Sequence, residues 1–136
     1  MFLVDTNVIS EARKGAKADA GVRAFFQATG EDDIHLAVQT IGELRQGVER
    51  IRARGDAQQA GLLERWLTNV TLQYADRILD FDRECAEVWG KLMSFHPQHP
   101  IDKQIAAIAL MHDLTIVTRN TPDFEGTGAG LMNPFA

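Results

Sequence analysis

The sequence has very little that could cross-link it or anchor it in a bilayer. Cys85 is its only cysteine, which excludes a disulfide framework and a thiolate metal cage. The longest uninterrupted apolar run, Ile105 to Met111, has seven residues, far fewer than the ~18 that a membrane span needs. The apolar stretch before Asp5 is too short for a secretory signal. We therefore expect a cytoplasmic protein without a membrane segment.

The sequence also lacks an excess of positive charge. It has 14 Lys and Arg residues against 19 Asp and Glu residues, a formal net charge of −5. This balance argues against a protein that coats nucleic acid by bulk charge, but it is compatible with an enzyme that gathers carboxylates around a metal ion. With 45% apolar and 24% charged residues, disordered and fibrous classes are excluded. The length predicts one domain over residues 1–136.

Short apolar runs of strand length alternate with segments of helical period. The predicted strands are Phe2–Val4, Ile34–Val38, Ile78–Leu79 with Phe81, Thr115–Thr118 and an edge strand at Leu131–Met132. Apolar residues at helical spacing predict helices around 44–51, 63–70 and 86–93. The uncharged stretch 104–111 predicts a helix that is buried against a sheet. This alternation predicts an α/β fold with a mostly parallel central sheet covered on both faces.

Acidic residues follow strands or begin helices where such a sheet would place its ligand crevice, beyond the carboxyl ends of the strands. These residues are Asp5, Glu43, Asp102 and Asp123. Each has a structural alternative. Asp5 and Asp102 suit helix N-caps, Thr40 and Glu43 match a capping box, and Asp123 suits a polar turn. One such acid means little, but four at one predicted edge indicate a site.

Carboxylates that converge raise one another's pKa unless a cation neutralises them. An all-oxygen set of ligands suits Mg²⁺, with Mn²⁺ as a substitute. The histidines compete poorly for this role: His35 lies in a predicted strand, His96 and His99 in a proline-bounded loop, and His112 at a helix carboxyl end. The sequence contains no His-x-x-x-His pair, which disfavours zinc. We therefore expect a magnesium site.

Four segments of the sequence resemble the motifs of PIN-domain ribonucleases, most closely the VapC/FitB-type toxins of bacterial type II toxin–antitoxin systems. These segments are Leu3–Ser10, Thr40–Gly47, Ile101–Ala107 and Val117–Phe124. Their order and spacing make the resemblance specific, and it extends to Asn133–Phe135. It implies a three-layer α/β/α PIN-like domain with Mg²⁺- or Mn²⁺-dependent endoribonuclease activity on tRNA or another structured RNA. It also implies a homodimer that a cognate antitoxin inhibits, in a heterotetramer or larger complex.

The resemblance assigns roles to individual acids. Asp5, Glu43 and Asp102 match three metal-site acids of the family. Family members differ at the fourth position, which corresponds either to Asn120 or to Asp123; we assign it to Asp123, with Asn120 as a hydrogen-bonding neighbour. On this interpretation Asp5 and Asp102 hold Mg²⁺ directly, whereas Glu43 and Asp123 act through water. Hydrolysis would leave 5′-phosphate and 3′-hydroxyl ends.

Further residues are assigned supporting roles. Thr6 and Thr118 resemble family residues that orient the acids or a metal-bound water. Lys103 and Arg119 each flank one of the acids, and Arg45 follows another, so these three are the candidates for contacts with RNA phosphates. An acidic cleft also predicts that the antitoxin blocks it with a basic segment, for instance with an Arg in place of the metal ion.

Two other functions are compatible with acids at strand ends. A Mg²⁺-dependent phosphatase or phospho-accepting receiver is disfavoured, because the segment Asp5-Thr6-Asn7 lacks a second Asp two residues on. The segment 78–81 also supplies no clear phospho-acceptor. A catalytically silent PIN-like binding module would be expected to lack the acids, whereas at least three matching positions are filled. A metal-dependent cleavage assay separates both alternatives from a nuclease, and a comparison of RNA with DNA defines the substrate.

Overall fold

A computed structural model describes residues 1–136 as an alternation of strands and helices. The strands are β1 (Phe2–Val4), β2 (Ile34–Ala37), β3 (Ile78–Leu79), β4 (Thr115–Val117) and β5 (Leu131–Met132). The α-helices are α1 (Thr6–Ala12), α2 (Ala20–Ala28), α3 (Val38–Ala53), α4 (Ala57–Gln73), α5 (Arg83–Phe95) and α6 (Pro100–His112). None of these helices is long and apolar enough to cross a membrane.

The five strands form one sheet in the order β3-β2-β1-β4-β5, and every neighbouring pair is parallel. Leu3 of the central strand β1 is in register with His35 of β2 and with Ile116 of β4. The carboxyl ends of β1, β2 and β4 therefore meet at one edge of the sheet. The predicted parallel sheet is confirmed, including its edge strand β5.

Both faces of the sheet are buried under helices, and successive residues of a strand point to opposite faces. Val4 and Val117 belong to a core cluster that includes side chains from α1, α2, α3 and α4. Leu3 and Ile116 belong to a second cluster with side chains from α5 and α6. This arrangement confirms the predicted three-layer α/β/α fold.

The strand β2 is shorter than predicted, because α3 begins at Val38. Ala37 is the N-cap residue of α3 and makes no side-chain capping bond. Thr40 therefore lies inside the first turn of α3, fully buried, and its hydroxyl makes no hydrogen bond. The capping box of Thr40 and Glu43 does not form, which leaves the Glu43 carboxylate available for other contacts.

The helix predicted to be buried is longer and less enclosed than the sequence indicated. It begins at Pro100, two residues before Asp102, which was expected to cap it, and four residues before the uncharged stretch. Its middle, from Ile105 to Ala109, is at most 1% exposed, but Leu110 and Met111 are 37% and 40% exposed. The apolar run thus continues past the point where the sheet covers the helix.

The C-terminal residues pack against the beginning of α2. The Asp19 carboxylate caps α2 by accepting hydrogen bonds from the Gly21 and Val22 amides, and it accepts a third from the Ala136 amide at 3.0 Å. A Cβ atom at position 21 would lie 2.1 Å from the Pro134 carbonyl oxygen. This close approach of two backbone segments therefore requires glycine.

Replacing Gly21 with Ala should lower the free energy of unfolding by about 1–3 kcal/mol, because either the C-terminal segment or α2 must move. Gly61→Ala is the matched control, since Gly61 also lies in a helix and a Cβ there would meet nothing within 4 Å. It should raise the free energy of unfolding by up to ~1 kcal/mol through helix propensity. Urea unfolding of both variants checks this, and equal gains in stability would contradict the proposed contact.

Candidate metal centre

Asp5 lies immediately after β1 and is only 6% exposed. Its Oδ1 atom accepts a hydrogen bond from the Thr6 amide at 2.9 Å and so caps α1. Its Oδ2 atom accepts bonds from the Thr118 hydroxyl at 2.8 Å and from the Asn7 amide group at 3.2 Å. Capping and a place in the site are therefore compatible roles. Burial raises the pKa of Asp5 above its usual range, and the negative charge of Asp123 contributes in the same direction.

Thr118 connects the turn after β4 to the beginning of α1. Its hydroxyl donates to Asp5 and accepts hydrogen bonds from the Asn7 side chain at 3.2 Å and from the Asn120 amide at 3.0 Å. The Asn7 side-chain oxygen in turn accepts from the Arg119 amide at 3.0 Å. Sequence reasoning did not single out Asn7, although its position two residues after Asp5, beside a strand end, was the available signal.

Glu43 in α3 reaches the same edge through Thr6. The Thr6 hydroxyl donates to Glu43 Oε1 at 2.6 Å, which links α1 to α3. Glu43 as a residue is exposed, although its neighbour Leu44 is buried. Partial shielding of its carboxyl group is nevertheless the largest cause that raises its pKa, and the charge of Asp5 adds to the effect.

Asp102 is the third residue of α6 and not its N-cap. His99 takes the N-cap position without a side-chain capping bond, in a left-handed conformation with φ of 52°. The Asp102 side chain is 28% exposed. Burial is the largest cause that raises the pKa of Asp102 to about 6, followed by the negative charges of Asp5, Asp123 and Glu43. Four carboxylates from distant parts of the sequence thus lie close enough to affect one another.

Asp123 reaches this group from a short 3₁₀ turn, Thr121–Phe124, that follows β4. Its Oδ1 atom lies 3.8 Å from His99 Nε2. Asn120 takes part through its backbone, because its amide donates to Thr118 and its carbonyl accepts from the Asp123 amide at 3.0 Å. Of the two alternatives for the fourth position, the geometry places the Asp123 carboxyl near the other acids.

His99 is the functional candidate that the sequence analysis set aside. Its Nδ1 atom lies 3.9 Å from Asp102 Oδ2, and its Nε2 atom faces Asp123. One potential ligand atom from each of these three residues lies within 4.8 Å of the others. The sequence signal was the spacing of His99 and Asp102, since residues three apart share one face where a helix begins.

The burial of Lys103 disfavours it as a candidate for contacts with RNA. Lys103 is 4% exposed. Its ammonium group donates to the Gln98 carbonyl oxygen and, at 2.9 Å, to His96 Nδ1. The charge next to Asp102 in the sequence is therefore turned away from solvent and holds the loop before α6.

The other two candidates for RNA contacts differ in whether their guanidinium group is already in an ion pair. Arg45 forms an ion pair with Glu64 of α4 at 2.6 Å and another with Glu49 of its own helix at 3.4 Å, so its charge is already paired. Arg119 is exposed, and its guanidinium group lies over the Phe135 ring at 4.6 Å from the centroid. Arg119 is the one candidate whose position still suits RNA binding.

The donor set fits a divalent cation. No Lys or Arg forms an ion pair with any of the four acids: the contacts within 4.0 Å that involve Asp102 and Asp123 are both to His99. The groups that hold Asp5 and Glu43 are hydroxyls and amides, which leave the negative charge intact. Clustered carboxylates repel one another, and a hard cation that prefers oxygen ligands stabilises them.

Comparisons with known proteins agree with this geometry. The sequence model of the PIN domain family matches residues 2–128. The chain is 33% identical to Toxin FitB of Neisseria gonorrhoeae over 99% of both chains, and 31% identical to VapC ribonuclease Y4jK of Sinorhizobium fredii over 99% of this chain and 98% of that protein. The crystal structure of FitAcB from Neisseria gonorrhoeae superposes with a TM-score of 0.87 at 31% identity, covering 98% of each chain.

Replacing Asp102 with Asn should stabilise the metal-free protein at neutral pH. The folded-state pKa of about 6 exceeds the unfolded value of 3.8, so the wild type loses stability as the pH rises through this window. Asn removes that loss. We expect the free energy of unfolding to rise by about 1–2 kcal/mol at about pH 7.5. This is less than the full pKa difference implies, because part of the carboxyl group faces water. At about pH 4.5 most of the gain should vanish.

Urea unfolding with a chelator at both pH values measures this effect. Asp80→Asn is the control, because Asp80 is exposed and makes no side-chain hydrogen bond or ion pair; it should change stability by less than ~0.5 kcal/mol. A gain for Asp102→Asn that is equally large at both pH values would show that ionisation of Asp102 is not its cause.

Proposed function

The chain belongs to the PIN domain family, and on that basis we propose that it is a Mg²⁺-dependent endoribonuclease that acts as the toxin of a type II toxin–antitoxin pair. The observation that carries the proposal is the meeting of four uncompensated carboxylates at one edge of the sheet, those of Asp5, Glu43, Asp102 and Asp123. We further propose that its substrate is tRNA or another structured RNA, which it would meet in the cytoplasm.

Asp5 and Asp102 are the residues that would hold Mg²⁺ directly, because both are partly withdrawn from water and the charges of the other three acids act on Asp102. Mg²⁺ usually takes one or two carboxylates directly and keeps several waters, so Glu43 and Asp123 would act through water. Mn²⁺ is the expected substitute. When bound, the metal ion would stabilise charge on the scissile phosphate and lower the pKa of an attacking water.

The protein's own groups orient the acids and provide the base. Thr118 and Asn7 fix Asp5 Oδ2, so the direction of this carboxylate is set before any ligand binds. Thr6 holds Glu43 Oε1 and leaves Oε2 free. Glu43 Oε2 is thus available to orient a water and to accept its proton, and the raised pKa of Glu43 makes it a better base. Arg119 is the remaining candidate for a phosphate contact at the rim.

A groove beside the carboxylates supports the antitoxin proposal. It has a volume of about 200 Å³, adjoins Thr6 and Glu43, and is lined on its apolar side by Leu44, Val48, Ile51, Leu63 and Trp66. Such a groove suits an amphipathic segment, and a basic side chain on that segment would reach the acids and replace the cation. We propose that the cognate antitoxin binds here and that the toxin forms a homodimer within a heterotetramer or larger complex.

Asp5→Asn should lower the rate of RNA cleavage by at least about 100-fold, because it removes the most buried carboxylate while keeping its shape. The purified protein is incubated with tRNA and with single-stranded DNA in Mg²⁺ or in chelator, and the cleaved ends are mapped. Wild-type protein and the Asp80→Asn control should cut RNA only when metal is present and leave 5′-phosphates. Cleavage by Asp5→Asn at the parental rate would refute the assignment. A silent binding module would bind RNA without cutting it.

Thr118→Val tests whether the orientation of Asp5 matters. Valine keeps the shape but removes the hydroxyl that donates to Asp5 Oδ2, so Mg²⁺ affinity should weaken about 10- to 100-fold. Thr118→Ser retains the hydroxyl and should bind Mg²⁺ nearly as the wild type does. Calorimetric titration of metal into each folded variant measures the difference. Equal affinities of the two variants would mean that the hydroxyl serves folding alone.

A further inference from the structure

His99 lies between the carboxylates of Asp102 and Asp123. Its two ring nitrogens face different acids, Nδ1 towards Asp102 Oδ2 at 3.9 Å and Nε2 towards Asp123 Oδ1 at 3.8 Å. One ligand atom from each residue lies within 4.8 Å of the others. Ligand atoms that share one cation at about 2.1 Å each are no more than about 4.2 Å apart. A small movement of these side chains would therefore bring all three onto one ion.

The loop that carries His99 is held from the protein interior. The His96 ring stacks on the His99 ring, with centroids 6.4 Å apart and planes 18° from parallel. His96 Nδ1 accepts a hydrogen bond from the buried Lys103 ammonium group, which also holds the Gln98 carbonyl. The Trp89 indole N–H donates to the Pro100 carbonyl at 3.0 Å. A side chain fixed in this way loses less conformational entropy when it binds a ligand.

The chemistry of this set differs from that of the other acids. An imidazole nitrogen with two carboxylates is a mixed donor set, which suits Mn²⁺ and other transition-metal dications better than Mg²⁺. The positive end of the α6 backbone dipole opposes a cation here, so binding depends on the imidazole and both carboxylates together. The site also lacks any Lys or Arg ion pair with Asp102 or Asp123 that would compete.

We propose that His99, Asp102 and Asp123 form a nitrogen-containing metal subsite that makes the protein prefer Mn²⁺ over Mg²⁺. The proposal rests on the proposed function, since it shares Asp102 with the site at Asp5. In this proposal His99 is a direct ligand, and Lys103 and His96 are positioning residues that keep its ring at the site. For His99, this proposal differs from the expectation from the sequence that the histidines compete poorly as metal ligands.

The test is Mn²⁺ binding to the metal-free full chain, followed by electron spin-echo spectroscopy. In wild-type protein the spectrum should contain modulation from a directly bound nitrogen. His99→Asn should lose this modulation, because Asn tolerates the left-handed backbone but supplies no imidazole. Its Mn²⁺ affinity should fall about 10-fold or more, while its Mg²⁺ affinity changes much less. His112→Gln is the control, since His112 lies at the other end of α6; it should behave as the wild type does.

The outcomes separate this inference from the proposed function. Absence of nitrogen modulation in wild-type protein, or an unchanged Mn²⁺ to Mg²⁺ affinity ratio in folded His99→Asn, would overturn the inference. Metal-dependent RNA cleavage that Asp5→Asn abolishes would still support the nuclease in that case. Conversely, nitrogen modulation that persists in Asp5→Asn and disappears in His99→Asn supports the subsite even if no RNA is cut.

Discussion

Repulsion between carboxylates at the carboxyl edge of the sheet is the constraint around which the site is built. Parallel pairing of β1 with β2 and β4 brings their ends together, so the acids that follow them lie close enough to repel one another. Burial, followed by the negative charges of the other three acids, raises the pKa of Asp102 to about 6. This arrangement lowers stability without a cation. The opposing free energy comes from elsewhere, chiefly from the two apolar clusters that sandwich the sheet. The fold thus stabilises a group of charges that would not assemble by itself.

The side chains around the acids keep that charge available. Asp5 and Glu43 accept hydrogen bonds from threonine hydroxyls, an asparagine and a backbone amide, all of them neutral donors. These donors fix the direction of each carboxylate, whereas an ammonium or guanidinium group would neutralise it and compete with a metal ion. The one buried ammonium nearby, that of Lys103, donates to a loop carbonyl and to His96. Its position supports the loop without neutralising the acids.

The elements of the fold were predictable because they depend on short-range patterns. Short apolar runs identified the strands, helical spacing identified α3 to α5, and the positions of acids just after strands identified the edge of the site. The errors arose where one residue satisfied two local patterns. Thr40 and Glu43 match a capping box, but α3 begins earlier, at Val38. Lys103 follows Asp102 and was expected at the surface, yet the face of α6 on which it lies is buried.

The sequence alone therefore determined the five strands, the helices α3 to α6, the parallel sheet and the acids at its edge, because these follow from the pattern of neighbouring residues. It did not indicate α2. Only the tertiary structure decided which side chains meet. Asn7 and Thr118 are 111 positions apart and share a hydrogen bond. His99, which precedes α6, faces Asp123, which lies in the turn after β4. Such contacts are set by strand register, by the packing of α6 and by the loop that precedes it, and no local pattern of residues encodes them.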